Sequence, residues 1–310
     1  MDRTSFPGLP STLHVLERGW LSSNNVVFID SADEASIVDT GYVSHAELTE
    51  ALVERLIGRR RLAHIVNTHL HSDHCGGNAH LQQRFGAAIT IPPGQAAAVA
   101  TWDDSRLGYS SIGQDCARFA FDHVLQPGGE ITLGGLAWEV VAARGHDPHQ
   151  VMLWCAAHRV LISADALWQH GFGAIFPEIE GEPGFDQQED LLERIATLAP
   201  AWIIPGHGAP FRDAAAALDR ARQRLAALRA DPVRNARNVA KALIKFWMID
   251  RREVAWATAL GHFRCAPYYE LIRSRYFPEL AFAQMIERLV TELIAAGALA
   301  RRDGQLLNLD

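Results

Sequence analysis

One heptapeptide constrains this chain more than any other feature. Thr68-His69-Leu70-His71-Ser72-Asp73-His74 gathers three imidazoles and a carboxylate into consecutive turns of the chain. It follows the apolar run 62–67, which reads as a strand, so the cluster emerges where the chain leaves a sheet and several side chains can wrap one point. Imidazole and carboxylate together suit zinc, iron or manganese and do not suit a calcium cage. Standing alone, the heptapeptide also fits a histidine-rich surface loop.

Three more ligand-type residues stand at the ends of later predicted strands: His146 in Gly145-His146-Asp147-Pro148, Asp165 in Ser163-Ala164-Asp165, and His207 in Pro205-Gly206-His207-Gly208. With them the chain resembles the metallo-β-lactamase superfamily, whose pattern is HxHxDH, then a His, an Asp and a His, matched in order over about two-thirds of the sequence. The resemblance implies that His69, His71 and His146 hold one metal ion and that Asp73, His74 and His207 hold a second. Asp165 falls on the bridging carboxylate. It implies two divalent ions, Zn2+ ahead of Fe or Mn, and a catalytic role for Asp73 beside a hydroxide that bridges them. Both positions of the HxH pair are histidine, whereas oxygen-reducing di-iron members carry an acidic residue at the second, which argues against that activity.

Asp39 in Val38-Asp39-Thr40-Gly41 matches a family position that supports the metal loop from behind; a simple turn aspartate is the other reading. Cys75 receives no role from the resemblance and reads as a small buried hydrophobe. Many relatives carry another histidine four residues after the ligand aligned with His146. Gln150 stands there instead, and His149, one residue earlier, reads as a strand-edge residue with a substrate-side proton donor as the alternative.

Runs at 12–17, 25–29 and 36–38 predict an antiparallel meander, followed by a helix at 47–57, a strand at 62–67, a helix at 78–85 and a strand at 87–91. A second meander is expected at 130–133, 138–142, 150–156 and 160–164, with a helix at 189–199 and a strand at 202–204. Two strand clusters with accompanying helices predict two sheets packed face to face with helices outside. The fold class is therefore α+β, which the resemblance sharpens to a four-layer αβ/βα sandwich. Residues 101–125 read as helix or lid. The stretch 166–185, with Trp168, His170, Phe172, Phe176 and Phe185, reads as a substrate wall beside Asp165.

Asp231-Pro232 breaks the helix expected at 214–228 and divides the chain into a catalytic domain, 1–230, and a small mostly helical module, 231–310. Helices at 240–248, 253–262, 268–274 and 279–296 with a hairpin at 299–309 resemble a winged helix. Their apolar faces predict packing together and onto the catalytic domain or a second subunit, so a homodimer stays open.

Composition narrows the function. Hydrophobic residues at 48% and charged residues at 21% are ordinary globular usage, and a net charge of -7 offers no basic field to nucleic acid or anionic membrane. No apolar run reaches membrane-span length. The sequence MDRTSFPGLP lacks the build of a signal peptide and the four cysteines form no CxxC pair, which points to a reducing cytoplasm and away from a secreted β-lactamase. The expected activity is hydrolysis of an ester, thioester or lactone, a small-molecule substrate, similar to the glyoxalase II and lactonase branches. Glutathione specificity lacks support, because nothing after residues 205–208 clearly resembles the basic glutathione-binding tail of glyoxalase II and Pro-Gly-His-Gly replaces that branch's usual acidic continuation. The alternative is a metal-dependent phosphodiesterase acting on RNA, since lactamase-like endoribonucleases also append a winged helix. A DNA-binding regulator using 253–262 as recognition helix is disfavoured, because Ala255, Ala257, Ala259 and Leu260 make that helix look buried.

Overall fold

The computed structural model describes residues 6–309 and builds the site on two sheets. The first orders β1 (Leu13–Leu16), β2 (Asn25–Ile29), β3 (Glu34–Val38), β4 (Arg61–Val66), β5 (Ala88–Ile91) and β6 (His123–Val124). β1 to β3 form the expected antiparallel meander, and β3 to β6 run parallel. The second contains β7 (Glu130–Leu133), β8 (Leu136–Ala142), β9 (Val151–Cys155), β10 (Val160–Ala164) and β11 (Trp202–Pro205), with β11 parallel to β10 and the other pairs antiparallel. Gly134 and Gly135 turn β7 into β8 at φ 61° and 73°, a left-handed pair that a two-residue hairpin needs and glycine adopts without cost.

The inner faces of the sheets meet through residues such as Phe28, Trp138, Leu153 and Ile162. Phe28 and Trp138 pack edge to face with centroids 5.4 Å apart. Helices Ala46–Ile57 and Asn78–Phe85 cover the outer face of the first sheet through Val53, Ile57 and Leu81. Helices Gly184–Leu198 and Ala214–Ala230 cover the second through Leu191, Leu192, Leu218 and Leu225. Each such fully buried aliphatic side chain contributes roughly 1.5–3 kcal/mol, so the four layers hold one another in register.

Several expectations shift in detail. The helix expected at 189–199 begins at Gly184, and the 101–125 segment resolves into the short helices Asp104–Leu107 and Tyr109–Ile112 before β6. Helix Pro232–Arg251 starts at the Asp231-Pro232 break rather than at 240, because the Asp231 carboxylate caps the Arg234 N–H and proline fits the first turn. The helix expected at 253–262 gives up its first turn to β12 (Glu253–Ala255) and runs instead as Trp256–Cys265. β13 (Leu299–Arg302) and β14 (Gln305–Asn308) form the expected hairpin, and Val254 pairs with Leu306 of β14. Tertiary pairing of this kind overrides the weak helical preference of a Glu-Val-Ala run.

The C-terminal helices share a core of Val239, Leu243, Phe263, Ile286 and Leu289, which also takes in Ile179 from the catalytic part. Asn235 Nδ2 donates to the Ile175 carbonyl at 3.1 Å, Tyr268 Oη to Phe176 O at 3.2 Å and Arg275 Nη1 to Ile179 O at 2.7 Å. Among the described residues, no helix is long and apolar enough to cross a membrane.

Candidate metal centre

The seven residues singled out from the sequence converge at one edge of the sandwich. β4 ends at Val66 and the chain passes through His69 and His71 into the one-turn helix Ser72–Cys75, which presents Asp73 and His74. β10 ends at Ala164, directly before Asp165; β11 ends at Pro205, two residues before His207; the β8–β9 connection carries His146. Ala164 and Asp39 adopt φ of 46° and 59°, a left-handed conformation uncommon for residues with a Cβ, and both flank the cluster. The β1–β2 loop stitches the two sheets together here. Asn24 Nδ2 donates to the carbonyls of Pro205 at 3.0 Å and Gly208 at 2.7 Å, while Ser23 N donates to Asp73 O at 2.9 Å.

Two groups of side-chain atoms result. His69 Nε2 and His146 Nε2 lie 3.1 and 2.8 Å from His71 Nδ1, so three imidazole nitrogens face one point. On the other side Asp73 Oδ2 lies 3.0 Å from His207 Nε2 and 3.8 Å from His74 Nε2. Asp165 stands between, with Oδ2 3.5 Å from His146 Nε2 and Oδ1 3.5 Å from His74 Nε2. The far sides of three of the rings are also held. His74 Nδ1 pairs with Asp39 Oδ2 at 2.8 Å, His146 Nδ1 with the Ala174 carbonyl, and His69 Nδ1 lies 3.2 Å from Thr68 Oγ1. Asp39 also accepts from Thr68 N at 2.9 Å and Thr68 Oγ1 at 2.7 Å, so it supports the loop rather than merely turning the chain.

The charge states suit a cation. Burial, reinforced by neighbouring imidazoles, holds His69 well below the usual histidine range and lowers His146 to about 4, leaving neutral rings. Burial alone would raise Asp165 and Asp73, but the histidines around them outweigh it and keep both carboxylates below their ordinary range. For His74 burial is overcome in the opposite sense: the Asp39, Asp73 and Asp165 carboxylates raise it well above normal. His74 Nε2 is nonetheless buried with no hydrogen-bond partner, an orphan that a cation would satisfy. The neutral rings of His69 and His146, the ionised carboxylates, and the orphaned His74 nitrogen, which a cation would hold in place of its proton, make a donor set that fits two N/O-liganded divalent cations.

A cavity of about 180 Å3 opens onto His71, Asp73, His146, Asp165 and His207. Trp20 stacks on His207 at 5.3 Å, and Trp168 Nε1 donates to Asp165 Oδ1 at 3.1 Å. The expected aromatic wall divides: Trp168 and Phe176 line the cavity, whereas Phe172 and Phe185 pack into the core behind the second sheet and His170 is exposed. Alternating exposure along an irregular segment separates residues that look equivalent in sequence. Trp20, Gln114 and the face of helix Pro232–Arg251 also line the cavity, and none carries a motif that would have marked it. His149 packs over Gly94 and is not a lining residue, and Cys75 is buried with Sγ 3.3 Å from Tyr109 Oη, as a structural thiol would be.

Residues 19–207 match the family model described as the metallo-beta-lactamase superfamily. The chain belongs to that superfamily. It is 30% identical over 224 residues to metallo-beta-lactamase domain-containing protein 1 of Xenopus laevis, covering 68% of this chain and 86% of that protein. It is 34% identical over 163 residues to a hydroxyacylglutathione hydrolase of Rhodobacter capsulatus, a match that spans 52% of this chain and about half, 53%, of that enzyme. A solved metallo-beta-lactamase family protein from Thermus thermophilus superposes with a TM-score of 0.57 at 17% identity, covering 96% of this chain and 99% of that one. The shared fold thus extends past the matched residues into the C-terminal helices.

Proposed function

We propose that this metallo-beta-lactamase superfamily member is a dinuclear metal-dependent hydrolase of a carboxylic ester, thioester or lactone. Residues 1–230 carry the chemistry and 231–310 form a winged-helix-type module packed against them, a division supported by a core made mostly of C-terminal residues, with Ile179 reaching in from the catalytic part. The observation that carries the reading is a pair of ligand trios, His69/His71/His146 and Asp73/His74/His207, with Asp165 reaching toward both. Zinc is the metal best matched to imidazole-rich sets of this kind. When bound, the two ions would supply a water-derived nucleophile at neutral pH and polarise the scissile carbonyl.

The chain's own residues do the rest. His69, His71 and His146 would hold one ion, His74 and His207 with Asp73 the other, and Asp165 both. Trp168, donating through Nε1, fixes the rotamer of Asp165. Asp73, 3.0 Å from His207 and facing the cavity, is the group that takes up a proton at its carboxylate and returns it to the departing alkoxide or thiolate. The name of the Rhodobacter capsulatus relative supports thioester hydrolysis as a class. Its glutathione substrate is not carried over, because the arginine-rich stretch after residues 205–208 does not resemble the glutathione-binding tail of the glyoxalase II branch.

Metal analysis followed by thioester, lactone and bis-aryl phosphodiester substrates on one preparation tests this reading. About two ions per chain and turnover of an acyl substrate are expected; dominant phosphodiester cleavage would replace it with the nuclease alternative.

A further inference from the structure

We infer that the cavity over the metal centre is a hydrocarbon pocket, selecting substrates in which one arm of the scissile ester or thioester is an uncharged group between a benzene ring and a hexanoyl chain in size. The inference rests on the hydrolase reading above and specifies its substrate.

The C-terminal module supplies the decisive wall. Helix Pro232–Arg251 turns Ala242, Leu243, Phe246 and Ile249 toward the cavity, at the three- and four-residue spacing of a single helical face. Its own core is served chiefly by Val239, Ala240, Ile244, Trp247 and Met248, with Leu243 shared between that core and the cavity. Phe246 and Ile249 are only half-buried, so part of this apolar face is turned to the cavity and not to the module. Across from it stands Phe176, edge-on to His71 and His146 with centroids 5.2 and 5.7 Å away, so the hydrocarbon wall reaches the ligands themselves.

The charged side chain that this wall carries is bonded to residues outside the cavity. Lys245 lines the cavity, but its ammonium donates to the Ala298 carbonyl at 2.9 Å and to Asn308 Oδ1 at 2.5 Å. A carboxylate or ammonium pushed between Leu243, Phe246 and Phe176 would therefore lose its hydration without compensation. A volume of about 180 Å3, which includes the space over the metal ligands, compares with the roughly 150 Å3 apolar cavity known to accept benzene and sets an upper limit on the arm.

Two measurements on the full-length chain test this. Ligand-observed NMR with hexanamide and acetamide, on wild type and on Ala242→Phe, reads the pocket without turnover; Ala242 is exposed, so the added ring enters the cavity without disturbing a core. Hexanamide binding at least tenfold tighter than acetamide, and its loss in Ala242→Phe, is expected. The second measurement compares kcat/KM for thioesters lengthened on the acyl or on the thiol side. On one side it should rise about fourfold per methylene up to six carbons and then level, and Ala242→Phe should reduce the six-to-two-carbon ratio at least tenfold. Equal binding of the two amides, or turnover indifferent to length on both sides, would overturn the pocket and leave the hydrolase reading standing. Selective hexanamide binding with no acyl hydrolysis would support the pocket and defeat the hydrolase reading.

Discussion

A side chain at Gly206 has no room beside Asp165: a Cβ built there would overlap Asp165 Oδ1 and lie 3.0 Å from His74 Cε1. The glycine cannot retreat. Its N–H donates to Ala164 O at 2.7 Å and its carbonyl accepts from Asn24 N at 2.6 Å, so the backbone is pinned from both sheets. The Pro-Gly-His sequence is thus a cradle for the shared carboxylate as well as the carrier of His207. We expect Gly206→Ala to rotate Asp165 out of place, to reduce bound metal below one ion per chain and to lower kcat/KM by about 100-fold or more. Far-UV circular dichroism should stay unchanged. Wild-type metal content in this variant would show that Asp165 does not depend on the glycine.

Asp165 reaches toward both trios, so its removal should cost more than that of any ligand serving one. Asp165→Ala is expected to abolish high-affinity binding of both ions, whereas His71→Ala and His207→Ala should each retain about one. Elemental analysis after gel filtration decides the point. Two ions retained in Asp165→Ala would refute the bridging assignment.

Asp39 acts one step back, accepting from the Thr68 backbone and hydroxyl as well as pairing with His74 Nδ1. Asparagine would keep the shape but can offer only one acceptor oxygen to these three groups. We expect Asp39→Asn to weaken metal binding by about 10–100-fold in a chelator competition, with the ligands themselves intact. Unchanged affinity would return Asp39 to the role of a turn residue.

The ligands were legible because coordination demands particular side chains, and the chain supplies them where strands end. His69, His71, Asp73 and His74 sit together in sequence, and His146, Asp165 and His207 recur in the same kind of position. Residues that shape the cavity were not legible, since apolar residues at helical spacing look alike whether they face a core or a substrate. Phe172 and Phe176 lie four residues apart in one segment, yet only Phe176 faces the ligands, because residues from Phe176 onward turn into a short helix that meets the C-terminal module. Trp20 reaches His207 by tertiary folding alone. β12 escaped notice for the same reason: Val254 becomes a strand residue only once β14 lies beside it.

Acid should destabilise the fold through histidines outside the metal centre. His64, on β4, is mostly buried, with Nε2 2.7 Å from Thr90 Oγ1, and burial, reinforced by His123, lowers its pKa below the ordinary 6.5 despite the opposing carboxylates of Asp30 and Asp122. In the unfolded chain this ring titrates near 6.5, so between that value and its lower folded value the unfolded state binds more protons. The stability that depends on a neutral His64 is therefore complete above about pH 6.5 and is lost as the pH falls toward the folded pKa. Replacing His64 by Gln removes this titration while keeping a group able to bond Thr90. We expect the melting temperature of His64→Gln to fall less steeply than that of wild type between pH 6.5 and 5, with metal held at saturation in both. Parallel profiles would show that His64 takes its proton as readily in the folded chain as in the unfolded one.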